Sequence, residues 1–186
     1  MILPLIFVKE TLLKMLNDFT FKINVQEQWI DYNHHMQDAY YGLVFSYAVD
    51  HFQDVIGFDK SYRSKTGCTI FVIEDHKFYL SEVKLGSELI IKTTLVDADK
   101  EKFILHSQML VDGKTAAVSE MLQAHVSTRP IPKITEMPEL IYMKFTDLLK
   151  QTADCDTPLT SRRLSLTKIP IRICSKAGAR QARAFC

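Results

Sequence analysis

A carboxylate and an imidazole, Asp31 and His35, stand four residues apart in a polar loop. The loop runs Asp31-Tyr32-Asn33-His34-His35, just ahead of a segment composed like a buried helix. These residue types in this place suit attack on a polarised carbonyl. Such chemistry needs a nucleophile or an activated water, and something to stabilise the oxyanion that develops. Asp31 could supply the first by attacking directly or by deprotonating water, since both use the same geometry. The opening N–H groups of the helix could supply the second, because they lack internal partners and carry partial positive charge. Asp31 lies six residues ahead of Gln37, near enough to fold back over that helix end. His35 could hydrogen-bond the loop or the carbonyl. Taken alone, Asp31 reads equally as a loop residue or helix cap, and His35 as a structural histidine. His34 reads as exposed.

Trp29, Tyr32, Tyr40 and Tyr41 cluster around this loop in the chain. Aromatic faces attract a quaternary ammonium by about 0.5–2 kcal/mol each, although core and rim packing would also explain them. Further on, alternation puts Glu74 and His76 on the face of Ile70, Val72, Phe78 and Leu80. An acid and an imidazole on an apolar face need partners. They would line a pocket, hold the Asp31 loop, or simply pair with each other. Glu120 shares a face with Val118 and Leu122 and invites the same reading.

The elements that must position these groups are legible from periodicity. Residues 2–16 could form an amphipathic helix. Phe19, Phe21, Ile23 and Val25 alternate with polar residues, the period of a half-buried strand. Residues 37–56 predict a helix that is apolar around most of its circumference, leaving a narrow polar stripe of Ser46, Asp50, Gln53, Asp54 and Gly57. A helix of that kind must be buried. Four strands follow at about 69–80, 88–97, 102–111 and 115–127. Turn signals separate them at Gly86-Ser87, Asp97–Lys100 and Asp112-Gly113. Short joins imply antiparallel neighbours.

The fold class is therefore α+β, a curved antiparallel sheet of five to six strands wrapped around one long helix. An open sandwich with the helix on one face is the alternative. After Thr128, Pro130, Pro132 and Pro138 break the pattern, and 139–150 could form a short helix with Leu140, Phe145, Leu148 and Leu149 on one side. The reading divides the chain into an extension (1–18), a body (19–128), a second extension (129–150) and a loose basic tail (151–186).

The 186 residues carry a formal net charge of +1, which points to neither nucleic acid nor membrane. Charge is uneven, with seven basic and no acidic side chains in residues 161–186. Those basic groups could touch a polyanion or simply be solvated. Cys68, Cys155, Cys174 and Cys186 show neither a CxxC pair nor metal-ligand spacing, and read as free thiols in a reducing compartment. The apolar start is short and no stretch reaches membrane-span length, so the expectation is a cytoplasmic protein without a metal. No phosphate-cradling glycine loop and no GxSxG occurs.

The run from Trp29 to Tyr41 resembles the active-site loop and helix start of the 4-hydroxybenzoyl-CoA thioesterase-like hot-dog family. That family shows an Asp, three residues, a His, then a small polar pair opening the central helix, here Asp31, His35 and Gln37-Asp38. Val83–Leu89 looks like the family's turn into the next strand. The resemblance covers about residues 19–128. Asp-Tyr-Asn, His-Met, Asp-Ala-Tyr-Tyr and the run Phe71 to Leu80 look similar to the betainyl-CoA thioesterases and to the thioesterase domain of some carnitine dehydrogenases. His34 stands where the family usually has Gly, and Gln37 where it often has Asn.

The resemblance implies an acyl-CoA thioesterase acting on a short or polar acyl group, in which coenzyme A is part of the substrate and no separate cofactor is needed. It implies Asp31 and His35 as catalytic residues, with Trp29, Tyr32, Asn33, Gln37, Tyr40, Glu74 and His76 around the substrate. A homodimer or homotetramer follows from the edge a curled sheet leaves. Two other uses of the fold are a catalytically silent acyl-CoA binder and a hydratase. Asp31 suits attack on a carbonyl better than the second of these.

Overall fold

The alternation after Phe19 becomes strand β1, Thr20–Asn24. A computed structural model describes residues 19–152. The helix expected over 2–16, the basic residues of 161–186, and Cys155, Cys174 and Cys186 lie outside them. A single 3-10 turn (Glu27–Trp29) leads into the polar loop and then into helix α1, Asp38–Ile56. Next come α2 (Lys60–Thr66), β2 (Cys68–Tyr79), β3 (Glu88–Ala98) and β4 (Lys102–Val111). The chain continues through β5 (Lys114–Ser127), β6 (Lys133–Ile134) and α3 (Glu139–Thr152). All strand pairs are antiparallel, in the order β1-β3-β4-β5-β2, with β6 pairing to the end of β5. Asp112 and Gly113 take φ of 50° and 75°, the two left-handed residues that a tight β4–β5 hairpin requires.

The sheet curls around α1, the hot-dog arrangement expected from that helix's wide apolar surface. Tyr41, Val44, Phe45, Ala48, Val49, Phe52 and Ile56 are buried, and α1 packs on β1, β3 and β4. Gly57 closes it in the left-handed region at φ 118°. Helix α3 joins the same core through Phe145, whose ring lies 5.0 Å from Phe103 and 6.3 Å from Phe52.

Several expected details change. Gln53, expected in the polar stripe, is buried. Its Nε2 donates to Gln123 Oε1 at 3.0 Å, and its Oε1 accepts from Arg63 Nη2 at 2.8 Å. Apolar Tyr47 and Val55 lie exposed instead. In α3, Leu140 is exposed and Ile141 takes its place beside Phe145 and Leu148, at the i, i+4, i+7 spacing of one helix face. Helix α2 has no apolar period to betray it. Its signal is local: the Asp59 carboxylate accepts the Tyr62 N–H, and Gly67 ends the helix at φ 67°.

The largest correction lies in β2. Its register against β5 shifts between Val72 and Glu74. This bulge adds one residue, so the alternation of faces inverts beyond it. Ile70 and Val72 line a cavity against α1 before the bulge, and Asp75 lines it afterwards. Lys77 approaches Gly42 of α1, and Tyr79 meets Tyr41. Glu74 and His76 therefore point to the opposite face from Ile70 and Val72. There they bond each other, Glu74 Oε1 to His76 Nε2 at 2.6 Å.

Near the α2 end of the core, His125 is buried. Its Nδ1–H donates to Thr135 O at 2.9 Å, which leaves Nε2 to accept from the Tyr62 hydroxyl at 2.7 Å. Burial holds its pKa below the ordinary histidine value, against the pull of hydrogen bonds to the Thr135 and Glu136 backbone. Burial does the same to His106, against the pull of Glu120. Both rings stay neutral in the folded state while the unfolded chain takes up protons below about pH 6.5. Stability is thus fully present above that pH and declines as pH falls toward the lowered folded values. We expect Tm to drop between about pH 7.5 and 5.5, with a shallower slope in His125→Asn. Parallel melting slopes for the two proteins would contradict this account.

Candidate active site

The loop ahead of α1 is built by its own backbone. Ile30 and Met36 form a bridge, Asp31 N–H donates to His35 O at 2.9 Å, and His34 N–H donates to Asp31 O at 3.0 Å. The tight bend puts His34 at φ 65°, so this histidine, exposed as expected, adopts the conformation for which glycine is the easy choice. Two further bonds fix the loop to its surroundings. Met36 N–H donates to Val83 O at 2.8 Å, and Gln37 N–H donates to Trp29 O at 2.9 Å.

The Asp31 carboxylate lies inside this bend. Oδ1 accepts from Asn33 N–H at 2.8 Å and His35 N–H at 3.4 Å, and Oδ2 accepts from Asn33 Nδ2 at 3.4 Å. Desolvation pushes its pKa up, but the hydrogen bonds from Asn33 and His35, with the charge of His35, together bring it net below the ordinary carboxylate value. If activity needs this carboxylate ionised, it is lost only as pH falls through the lowered pKa. The acid limb of kcat/KM should then lie below about pH 4, with no decline near pH 5. A limb centred near pH 5 or above would point to a different group.

Helix α1 opens without a side-chain cap from Gln37. In its first turn, Ala39 N–H is held by the Asp38 carboxylate at 2.9 Å and Tyr40 N–H donates to Gln37 O at 3.0 Å. His35 reaches the other way, its Nε2 lying 2.9 Å from Glu82 Oε2. Between the helix start and the end of β2 lies a cavity of about 380 Å³. It is lined by His35, Met36, Asp38, Tyr41, Tyr79, Leu80, Ser81 and Glu82. A second cavity of about 310 Å³ follows the Ser46–Asp50–Gln53 side of α1 toward Arg63 and Asp75. Burial raises the pKa of Asp50 there, against the pull of Arg63 and with that of Asp54.

The structure brings only some of the sequence candidates together. Asp31, Asn33 and His35 share the loop, and Gln37 joins it to α1. Trp29 is buried and stacks on Tyr40, with ring centroids 5.7 Å apart. Tyr32 is 89% exposed. Glu74 and His76 are on the face away from both cavities, because the β2 bulge reverses the alternation that placed them. Glu120 is buried opposite His76 and His106 in the strand register. Sequence reasoning missed Tyr79 and Glu82 as cavity residues. Only the bulge turns Tyr79 toward α1, and no local pattern announces it. Among the described residues there is no cluster of three metal-ligating side chains, and no helix is long and apolar enough to cross a membrane.

Comparison with known proteins places this geometry. The family model described as the Thioesterase-like superfamily matches residues 25–145. A betainyl-CoA thioesterase of Pseudomonas aeruginosa is 37% identical over 110 residues, 58% of this chain and 69% of that protein. An L-carnitine dehydrogenase/betainyl-CoA thioesterase of Agrobacterium fabrum is 34% identical over 63% of this chain, which spans only 24% of that longer protein. Among solved structures, a hypothetical protein of Staphylococcus aureus in complex with CoA superposes with a TM-score of 0.68 at 27% identity. That match covers 72% of this chain and 84% of the other. Since the family match spans well over half of the 186 residues and takes in the loop, the central helix and the curled sheet, the chain belongs to the thioesterase-like superfamily.

Proposed function

We propose that this chain hydrolyses the thioester of a short or polar acyl-CoA, with betainyl-CoA as the leading substrate. Asp31 serves as nucleophile or general base. The observation that carries the reading is a carboxylate, its pKa held below the ordinary value, in the loop that runs directly into a sheet-wrapped helix. The thioester oxygen would be received at the first turn of α1, where Ala39 N–H would have to exchange the Asp38 carboxylate for it, and where removing a single donor typically costs about 10²–10³ in rate. In one route, Asp31 attacks the carbonyl carbon and expels the CoA thiolate, and water then cleaves the mixed anhydride. In the other, Asp31 takes a proton from the attacking water, and the tetrahedral adduct collapses with loss of the thiolate. Asn33 and the His35 amide hold the carboxylate ionised for either route. His35, braced by Glu82, lines the cavity and would bond the thioester carbonyl or the loop. Tyr32 and Gln37 belong to the exposed loop, while Trp29 is buried against Tyr40. Glu74 and His76 have no part in this reading.

A homodimer or homotetramer, acting in the cytoplasm, completes the proposal. Strand β2 ends the described sheet, and Phe71, Val72 and Leu80 are exposed on or beside it. A long apolar edge of this kind invites a second chain. Thiol release from a panel of acyl-CoA esters by the purified chain tests the activity. Turnover of at least one ester is expected. Tight binding of esters with no release across the panel would instead favour a silent acyl-CoA binder.

A further inference from the structure

The cavity at the amino end of α1 has a composition that the thioester chemistry alone does not require. Tyr41 and Tyr79 meet at right angles within it, with ring centroids 5.2 Å apart and planes at 87°. Tyr41 is buried, its hydroxyl donating to Ser81 O at 3.3 Å, while Tyr79 is half open to solvent. Two carboxylates, Asp38 and Glu82, line the same space, and no lysine or arginine does among its described lining residues. The only other charged or titratable group there is His35, which is already engaged by Glu82.

The placement matters because of where the acyl group must go. With the thioester oxygen on the first turn of α1, the acyl α-carbon lies beside that turn. A cationic acyl group whose charge is one methylene from the carbonyl would then sit against the positive end of the helix dipole, which repels it. Local negative charge and aromatic faces are the groups able to reverse that preference, and this cavity holds both. A neutral acyl group would gain nothing from the two carboxylates.

Resting on the thioesterase reading above, we propose that Tyr41, Tyr79, Asp38 and Glu82 form a cation-selective acyl subsite that takes a quaternary ammonium group. The selectivity resides in side chains from two separate elements, the start of α1 and the segment at the end of β2.

The test compares two esters of nearly equal shape. Betainyl-CoA carries a trimethylammonium where tert-butylacetyl-CoA carries a neutral tert-butyl group. For the full chain and for Glu82→Gln, Tyr79→Leu and Tyr79→Phe, both kcat/KM and equilibrium Kd are measured for each ester, with circular dichroism to verify folding. The wild type should prefer the cationic ester by at least roughly tenfold, and Glu82→Gln and Tyr79→Leu should each reduce that ratio by roughly 3- to 30-fold. Tyr79→Phe, which keeps the ring, should retain it. Equal kcat/KM and Kd for the two esters in the wild type would overturn the subsite and leave the hydrolase reading standing. So would variants that weaken both esters in proportion. Absence of turnover with either ester would count against the hydrolase reading, and the Kd ratio would still decide the subsite.

Discussion

Replacing Asp31 by Asn should lower kcat by about 10²–10⁴-fold while leaving the fold intact. The reasoning depends on what each half of the side chain does. The loop is held partly by Asp31 Oδ1, which accepts from Asn33 N–H and His35 N–H. An asparagine oxygen can accept the same bonds, so the bend persists. The amide can neither attack a thioester nor take a proton from water, so the chemistry is lost. Asp31→Ala removes both functions and should lose turnover along with some local order. Steady-state kinetics on one hydrolysed ester, beside a melting curve for each protein, separates these effects. If Asp31→Asn keeps wild-type kcat, the carboxylate is merely a loop brace and the mechanism must be sought elsewhere.

The second large effect concerns the helix rather than the loop. Phe52→Ala should destabilise the chain by about 3–5 kcal/mol, a sizeable part of the roughly 5–15 kcal/mol available to a folded domain. Phe52 is fully buried in the concave face of the sheet. Its ring lies 4.6 Å from that of Phe19 and 6.3 Å from that of Phe145. Truncation removes contacts from α1 to Phe19, just ahead of β1, and to α3 together, and a close-packed interior relaxes only partly around the void. Val55→Ala, on the exposed side of the same helix, should change stability by no more than about 0.5 kcal/mol. Denaturant unfolding of the two variants makes the comparison. Similar midpoints for both would mean that α1 is not enclosed as described.

The site was only partly readable in the chain. The Asp31–His35–Gln37 spacing is local, and a loop closed by hydrogen bonds over a few residues keeps its meaning in the folded molecule. Glu74 and His76 were misplaced for a different reason. A strand's alternation is reliable only while its register is unbroken, and one extra residue after Val72 exchanges the faces. Gln53 is the converse case. Its polarity suggests the solvent stripe, but Gln123, 70 residues away in sequence, and Arg63, beyond the helix end, satisfy it in the interior. Nothing local could reveal those partners.

By itself, the sequence determined the order of β1, α1 and strands β2 to β5, the burial of α1 and the loop that carries Asp31, though not the short helix α2 or strand β6. These depend on apolar periodicity, turn residues and short-range hydrogen bonds. Only the tertiary structure decided which side chains surround the amino end of that helix. The bulge in β2 and the curl of the sheet bring Tyr79 and Glu82 to His35, Asp38 and Tyr41. That company is set by packing between segments some forty residues apart in sequence, and no pattern within either segment encodes it.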